Sequence, residues 1–243
     1  INGEAAYDES GYSVSLSADG SIVAIGAPYN TVNGGNIWDY YGHVRIYQNV
    51  GGSWSQIGND IDGEAAGDQS GISVSLSSDG STVAIGAYYN DGNGYSSGHV
   101  RIYQNVGGSW SQIGADIDGE AAYDYSGYSV SLSSDGNTVA IGAYANVANG
   151  YSSYGHVRIY NWSGTSWTQL GDDIDGEAAG DESGYSVSLS ADASTVAIGA
   201  PYNTGTSIGS QYNYAGHVRI YVVLDLIKLT TVDGCDSTAI LNL

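Results

Sequence analysis

A fourfold internal repeat constrains the fold of this chain more than any other feature. The tetrapeptide GEAA begins at Gly3, Gly63, Gly119 and Gly176, so successive copies start 60, 56 and 57 residues apart. Each copy continues in the same order through SVSLS, VAIGA and HVRIY, and three copies add a segment that contains a Ser-Trp pair. A sequence with a period of this length folds as an array of similar units that stack on one another.

Each repeat contains short segments with the alternation typical of β-strands. In SVSLS, Val and Leu alternate with Ser, and in HVRIY, Val and Ile alternate with His, Arg and Tyr. A period of two places the aliphatic side chains on one face of a strand. The DG and VGGS segments between these runs are hairpin signals. We therefore predict an all-β repeat protein of four-stranded antiparallel blades, arranged as a β-propeller built from four repeats.

The charge balance excludes several classes of partner. The chain has 26 acidic residues against five Lys and Arg, and its formal net charge is −21. Nucleic acids and anionic membrane surfaces both require clustered basic side chains, so we expect neither as a partner. No apolar run approaches the roughly 20 residues of a membrane span, so no membrane insertion is expected. Cys235 is the single cysteine, which excludes an intrachain disulfide.

Two motifs resemble a known family. The pair SGYSV and VAIGAP resembles the FG-GAP repeats of integrin α-subunit-type propellers. Gly-Ala-Pro occurs at 26–28 and 199–201, the other two copies have Gly-Ala-Tyr, and Ser-Gly stands where the family has Phe-Gly. The resemblance covers residues 1–221 and implies propeller blades, usually seven to a ring. Four repeats are present here, and closed four-bladed rings are known.

The repeats divide the chain into four predicted blades and a tail. We place the blades at about 1–48, 49–104, 105–161 and 162–221, which leaves the first blade without its tryptophan strand. The tail, 222–243, is expected to supply that strand within the chain or to a neighbouring subunit, because an unpaired strand edge accepts another strand. A head-to-tail contact that does not close makes a filament. TTVDGCDSTAILNL also resembles repeats in large surface proteins of Bacteroidota, which implies an extracellular setting and a continuing chain. The first residue, an isoleucine, likewise suggests a processed chain or a fragment.

Calcium is one candidate ligand. Integrin-type blades often bind it in a D-x-D-x-D-G loop between the first and second strands, but here that loop keeps one carboxylate per copy, which indicates a simple turn. Carboxylates cluster instead in the segment that enters the first strand, as in DIDGE. This segment is either an oxygen-rich calcium site or a solvated turn that pairs with the arginines of the repeat. The candidate metal ligands are Asp60, Asp62, Glu64, Asp68, Asp116, Asp118, Glu120, Asp124, Asp173, Asp175, Glu177 and Asp181.

The segments between the second and third predicted strands are the ones that differ strongly between repeats. Their Tyr, Asn, Gly and Ser composition is typical of adaptable recognition loops. In a meander these loops share one end of the blade with the acidic segments. They either bind a glycan or protein by ring stacking or pack on themselves or on a neighbouring subunit. The candidate ligand-binding residues are Trp38, Tyr40, Tyr95, Tyr154, Tyr212 and Tyr214.

All the histidines and arginines lie in GHVRIY. A catalytic site normally breaks a repeat pattern, whereas these residues obey it in every copy, and four such histidines lie too far apart to share one metal. We expect each Arg to lay its stem along a Tyr and direct its guanidinium to a carboxylate of the adjacent repeat. We expect each His to donate to a loop carbonyl. The predicted structural ion pairs involve Arg45, Arg101, Arg158 and Arg219.

These features together favour a non-enzymatic function. The sequence predicts an extracellular structural or adhesive repeat protein, either a module of a surface adhesin or a filament subunit that associates with itself. The alternative is a calcium-assisted module that binds glycans or proteins, and a third possibility is an enzyme fragment whose catalytic domain lies elsewhere. Asn161 begins an N-x-[ST] sequon in a predicted exposed hairpin, which makes it a glycosylation candidate.

Overall fold

Four antiparallel β-sheets follow one another along the chain. The computed structural model describes residues 1–31, 39–146, 153–204 and 214–223. The first sheet contains β1 (Ser13–Leu16), β2 (Ile22–Ala27), β3 (His43–Val50), β4 (Ser53–Gln56) and β5 (Ile61–Asp62). The second contains β6 (Ser73–Leu76), β7 (Thr82–Ala87), β8 (His99–Val106), β9 (Ser109–Gln112) and β10 (Ile117–Asp118). The third contains β11 (Ser129–Leu132), β12 (Thr138–Ala143), β13 (His156–Trp162), β14 (Trp167–Gln169) and β15 (Ile174–Asp175), and the fourth β16 (Ser186–Leu189), β17 (Thr195–Ala200) and β18 (His217–Val222).

Each sheet is a meander that forms one blade, so the all-β prediction of four-stranded blades is confirmed. In the first blade β1 pairs with β2, β2 with β3 and β3 with β4. The short β5 pairs with the same edge of β3 as β4 does, at His43 and Val44. The outer strand of a blade is therefore broken into two pieces, and its second piece is the acidic ID dipeptide that the sequence suggested was loop.

The strand pairing shifts the blade boundaries that the sequence suggested. In β4, Gln56 lies opposite Tyr47 of β3, so the SWSQ segment is the outer strand of the blade that precedes it. The prediction that the first blade lacks this strand is therefore wrong, and the boundaries fall after β5, β10 and β15 rather than near residues 48, 104 and 161. The tail predicted to complete a blade is 222–243, and its residues 224–243 lie outside the described part of the chain.

The single carboxylate in each inner hairpin holds a turn. Asp19 Oδ1 accepts hydrogen bonds from Ser17 Oγ at 2.8 Å and from the Ser21 amide at 2.9 Å. The Ser21 amide bond is the main reason that the pKa of Asp19 falls to about 2. Asp79, Asp135 and Asp192 accept the same pair of bonds. The turn interpretation of these four residues is confirmed.

The hydrophobic core lies between blades rather than within them. Ala24, Val44 and Ile46 of the first blade pack against Val74 and Leu76 of the second, together with other aliphatic side chains. Equivalent clusters join the second blade to the third and the third to the fourth. Each blade therefore buries its aliphatic side chains only by stacking on a neighbour, as expected of a repeat array.

Serines and glycines bring the inner strands of successive blades close together. Ser73 Oγ donates to the carbonyl of Gly127 at 2.7 Å, and the amide of Leu132 donates to Ser75 Oγ at 2.9 Å. A Cβ added at Gly86 would lie 1.9 Å from the same Gly127 oxygen. The glycines of the Gly-Ala and Ser-Gly motifs are thus required because two backbones touch across the blade boundary.

The two ends of the stack present apolar faces. In β18, Val218 is 65% exposed and Ile220 70% exposed, whereas their equivalents Val100 and Ile102 in β8 are 0% and 2% exposed. In β1, Val14 and Leu16 are exposed, whereas the matching pair in β6 is buried. The inner strands of successive blades pack on one another from the first blade to the fourth. Among the described strands, no comparable packing joins the fourth blade to the first.

No helix within the described ranges has the length and apolar character needed to cross a membrane.

We predict that Gly86→Ala destabilises the protein far more than Gly107→Ala. The new methyl group at 86 would clash with the Gly127 carbonyl and force the blades apart, at about 3 kcal/mol. Gly107 has a φ of 62° and open space around its Cβ position, so alanine there adds only backbone strain of about 1 kcal/mol. Denaturant unfolding measures both changes, and equal effects would contradict the close approach.

Candidate functional site

Each acidic segment bridges two blades. Ile61 and Asp62 pair with β3 of the first blade, while Glu64, two residues later, reaches the second blade. Arg101 of β8 donates from Nη2 to the Asp62 carbonyl at 2.7 Å, and its Nη1 lies 3.5 Å from Glu64 Oε1. One guanidinium therefore fastens the outer strand of one blade to the next blade.

Among the described residues, the hydrogen bond to the carbonyl recurs in all four repeats and the ion pair recurs for two further arginines. Arg158 donates to the Asp118 carbonyl at 2.6 Å and pairs with Glu120 at 3.7 Å. Arg45 makes the equivalent contacts with Asn2 and Glu4, and Arg219 donates to the Asp175 carbonyl. Each guanidinium also lies 5.5 to 5.6 Å from the ring centre of the Tyr two residues further along its strand. We call this arrangement the arginine latch.

The histidines of the motif face carboxylates from two acidic segments. His99 is almost completely buried, and its Nδ1 lies 3.9 Å from Glu64 Oε2 and 3.8 Å from Asp116 Oδ2. Burial is the main cause that lowers the pKa of His99 to about 4, so the imidazole is neutral at pH 7. Its Nε2 is buried without a hydrogen-bond partner, as are those of His43 and His156. The prediction that this side chain donates to a loop carbonyl is wrong for these three residues.

The last aspartate of each acidic segment ties it to the variable loop. Asp68 Oδ2 accepts from the Ala65 amide and from Asn90 Nδ2, both at 3.0 Å. Asp8 and Asp181 hold Asn30 and Asn203 in the same way, and Asp124 accepts from the Ala121 amide. The acidic segments and variable loops therefore share one end of the blades, as the meander predicts.

The carboxylates of one acidic segment diverge instead of surrounding one ion. Asp60 points to His43 of the preceding blade, Glu64 to the following blade, and Asp68 beneath a loop. Asp62, Asp118 and Asp175 lie in the outer strands, where burial raises their pKa. Carboxylates from successive segments meet instead at a histidine, a grouping that sequence spacing missed because its members lie far apart in the chain. These groups are Glu4–His43–Asp60, Glu64–His99–Asp116 and Glu120–His156–Asp173, and Glu177 lies 3.6 Å from His217 Nδ1.

Tyrosine rings form a connected row at the same end of the blades. The row crosses from the second blade to the fourth through edge and tilted contacts with centroid distances of 4.0 to 6.5 Å. A shorter group on the first blade joins Tyr12, Tyr29 and Tyr40. The row is made by Tyr88, Tyr89, Tyr125, Tyr128, Tyr144, Tyr185, Tyr202 and Tyr214.

Of the predicted ligand-binding tyrosines, Tyr214 ends this row and Tyr40 belongs to the shorter group on the first blade. Tyr40 packs on Tyr29 at 5.2 Å and Tyr214 on Tyr202 at 5.1 Å. Tyr95 packs on Tyr123 at 5.3 Å. Tyr154 lies beside the next acidic segment, where its carbonyl accepts from the Ser183 amide. Trp38 and Tyr212 lie outside the described residues.

Sequence reasoning missed Tyr125, Tyr128 and Tyr185 because they lie in the segments that enter the inner strands, and it missed Tyr88 and Tyr144 because they occupy a motif position at the start of the variable loops. Tyr128 and Tyr185 follow the Ser-Gly pairs, and Tyr88 and Tyr144 replace the proline of the Gly-Ala-Pro motif. This replacement was the signal in the sequence that could have revealed the row, since it places an aromatic ring where the first and fourth copies have the pyrrolidine ring of proline.

A cleft of about 640 Å³ opens between the acidic segment and the variable loop of the second blade. Tyr89, Tyr95 and Tyr125 line it with aromatic surface, and Glu64 and Asp91 line it with carboxylates. The cleft combines flat apolar faces with hydrogen-bond acceptors, which is the chemistry that recognises a sugar ring.

The candidate glycosylation residue is not in an exposed hairpin. Asn161 lies in β13 and is half-buried. Its Nδ2, the atom that would carry a glycan, donates to the Asn137 carbonyl and to Thr138 Oγ1, both at 3.1 Å. The prediction that Asn161 is exposed is therefore wrong, and its contacts disfavour modification.

Comparison with known proteins supports the blade assignment. Residues 61–103 match the FG-GAP repeat family, so the second blade carries a repeat of that family and the sequence resemblance is confirmed. No curated protein matches the chain in sequence. FG-GAP repeats are typically non-catalytic and are usually found in extracellular proteins.

Three solved structures resemble this chain. Sqt1 from Chaetomium thermophilum is 15% identical, with a TM-score of 0.51, over 90% of this chain and 44% of that chain. The RRP9 WD40 repeats are 9% identical, with a TM-score of 0.47, over 79% of this chain and 46% of theirs. A prolyl endopeptidase is 12% identical, with a TM-score of 0.42, over 77% of this chain and 24% of its own. The chain therefore spans less than half of each, and the likeness to Sqt1 shows the fold alone.

We predict that alkaline pH destabilises the protein through the tyrosine row. Burial raises the pKa of Tyr88, Tyr128 and Tyr144 above the ordinary value of 10.0. The unfolded chain therefore loses phenolic protons first, so this contribution to stability is complete below pH 10 and falls as pH rises above it. Tyr128→Phe should flatten the decline measured by unfolding at each pH, whereas Tyr7→Phe, at a solvent-exposed ring, should not.

Proposed function

We propose that this chain is a non-enzymatic, extracellular structural module that joins further FG-GAP-type blades head to tail. The observation that carries the proposal is the pair of apolar faces at the two ends of the stack. Val218 and Ile220 lie on one end face, and Val14 and Leu16 lie on the other. Contiguous exposed apolar side chains on a highly charged protein are characteristic of interaction surfaces.

The interior blade boundaries supply the template for this contact. At the boundary between the second and third blades, Val100 and Ile102 pack against Leu132 and Val139. Val218 and Ile220 are the fourth-blade equivalents of the first pair, and Leu16 and Val23 are the first-blade equivalents of the second. The fourth-blade face of one copy therefore matches the first-blade face of another.

Polar groups at the end faces fit the same geometry. In the interior, the inner-strand serine of one blade donates to the carbonyl of the Ser-Gly glycine in the next, as Ser129 does to Gly184 at 2.8 Å. Ser186 of β16 occupies the donor position on the fourth blade, and Gly11 carries the acceptor carbonyl on the first. A head-to-tail contact would thus add hydrogen bonds to the 1.5–3 kcal/mol expected for burying each large aliphatic side chain.

Such a contact is heterologous, so it forms either a closed ring of blades or an open filament. Both outcomes fit a surface adhesin or a fibre subunit, in which the module would act as a structural spacer and not as a catalyst. The net charge of −21 keeps the free module soluble.

We predict that Ile220→Asp weakens self-association at least tenfold. Aspartate would place an unpaired charge in the contact, and Leu16→Asp should do the same from the other face. Val106→Asp is the matched control, since Val106 is 64% exposed but lies in an outer hairpin. Sedimentation velocity over a range of concentrations measures the effect. A wild-type protein that stays monomeric throughout, or equal behaviour of Ile220→Asp and Val106→Asp, would contradict the proposal.

The cleft of the second blade favours a second candidate function, the binding of a glycan. Tyr95 and Tyr125 offer faces for a sugar ring, and Glu64 and Asp91 offer acceptors for its hydroxyl groups. Asp68 and Asn90 also line this cleft, and the hydrogen bond between them holds the acidic segment to the variable loop.

We predict that Tyr95→Ala lowers the affinity for any bound glycan about tenfold, by removing one stacking face. Tyr7→Ala, at a solvent-exposed ring remote from the cleft lining, serves as the control. A glycan array with and without a chelator identifies the ligand and tests calcium assistance. Absence of binding in both conditions would rule out this candidate.

A further inference from the structure

We propose that the three Glu–His–Asp groups at the blade boundaries are binding sites for a divalent transition cation of the zinc class. The group around His99 illustrates the geometry. Its Nδ1 lies 3.9 Å from Glu64 Oε2 and 3.8 Å from Asp116 Oδ2. In every group, the three potential ligand atoms lie within 4.8 Å of one another.

The carboxylates are oriented by other side chains so that one oxygen of each remains for an ion. Arg101 Nη1 lies 3.5 Å from Glu64 Oε1, which leaves Oε2 towards the imidazole. Gln112 Nε2 donates to Asp116 Oδ1 at 2.6 Å, which leaves Oδ2 towards it. Partners that fix the outer oxygen of a ligand in this way are characteristic of metal sites. The other two groups repeat the arrangement, with Gln56 on Asp60 and Gln169 on Asp173.

The buried imidazole also points to an ion. His99 is 1% exposed, and its Nδ1, the nitrogen that faces both carboxylates, is too far from either of them for a hydrogen bond. A hydrogen bond would draw the nitrogen and oxygen to about 2.8 Å. Bonds of about 2.0–2.1 Å to a tetrahedral ion would set them about 3.3 Å apart. The distances of 3.9 and 3.8 Å from His99 Nδ1 to the two carboxylate oxygens are closer to the ligand–ligand separation than to the hydrogen-bond distance.

The donor set selects the class of cation. One imidazole nitrogen and two carboxylate oxygens suit zinc and its first-row neighbours, whereas calcium prefers six to eight oxygens. Two carboxylates, one guanidinium and a neutral imidazole leave a net charge of about −1, which favours a divalent cation. Glu64 and Asp116 are 44% and 30% exposed, so an ion reaches the group from solvent and keeps water on its remaining positions.

The fourth repeat provides an internal comparison. His217 Nδ1 lies 3.6 Å from Glu177 Oε2, but no aspartate completes a group there among the described residues. In the sequence, TVDG at 231–234 aligns with DIDG at 60–63, which sets Thr231 at the position of Asp60. The chain should therefore bind three ions rather than four.

Zinc titration of the tag-free chain tests the proposal by isothermal calorimetry after chelator treatment. We expect three equivalents of Zn²⁺ for the wild type and two for Asp116→Asn, which keeps the size of the side chain. His217→Gln should still bind three. Excess Ca²⁺ or Mg²⁺ should not displace the zinc, and Co²⁺ substitution should give an absorption spectrum that indicates nitrogen ligation.

His99→Gln should also bind two equivalents, and circular dichroism shows whether this buried substitution leaves the fold intact. If it does not, Asp116→Asn and the matching Asp60→Asn and Asp173→Asn variants decide the question. Failure of the wild type to bind zinc would overturn the proposal. So would an unchanged stoichiometry in the aspartate variants, or displacement of the ion by equimolar calcium.

Discussion

The arginine latch is the interaction on which the rest of the structure depends. A sheet of four short strands has two faces to bury, and this chain buries them only by stacking blade on blade. Stacking needs a device that fixes the distance and rotation between blades, and Arg101 supplies it by holding a backbone carbonyl and a carboxylate of the adjoining segment at once. Its planar fork makes both contacts from one side chain, which the point charge of a lysine could not do with the same geometry.

The latch also explains why the acidic and basic residues are so unequally distributed. Arg101 faces Glu64 of the acidic segment, while His99, two residues earlier, is buried and neutral beside the same glutamate and Asp116. The boundary therefore carries an excess of negative charge close to the surface. At the inner end, Ser73 and Gly127 fix the same boundary with uncharged contacts. Each junction is thus held by neutral hydrogen bonds near the inner strands and by an electrostatic cluster near the outer ones.

Much of the fold was predictable because the same strand and turn patterns occur in four copies. Alternation in SVSLS and HVRIY specified strands, and the DG pairs specified hairpins, as the bonds to Asp19 confirm. The predicted blade boundaries separated SWSQ from the preceding strand although the VGGS hairpin signal joins the two, and the pairing of Gln56 with Tyr47 follows that signal. The carboxylate–histidine groups were missed for a similar reason, since Glu64 and Asp116 belong to different repeats and meet only when blades stack.

The end blades show what a repeat of this kind leaves unsatisfied. Identical units give identical interfaces, so a stack of four has interior boundaries that are complete and two ends that are not. The sequence of its own strand does not explain why Ile220 is exposed, since Ile102 in the same motif is buried. The exposure follows from position alone, and the face that would bury Ile220 is already encoded in every other copy. The side chains that cover this face at the interior boundaries are repeated in the first blade, and this match is the basis of the proposed head-to-tail contact.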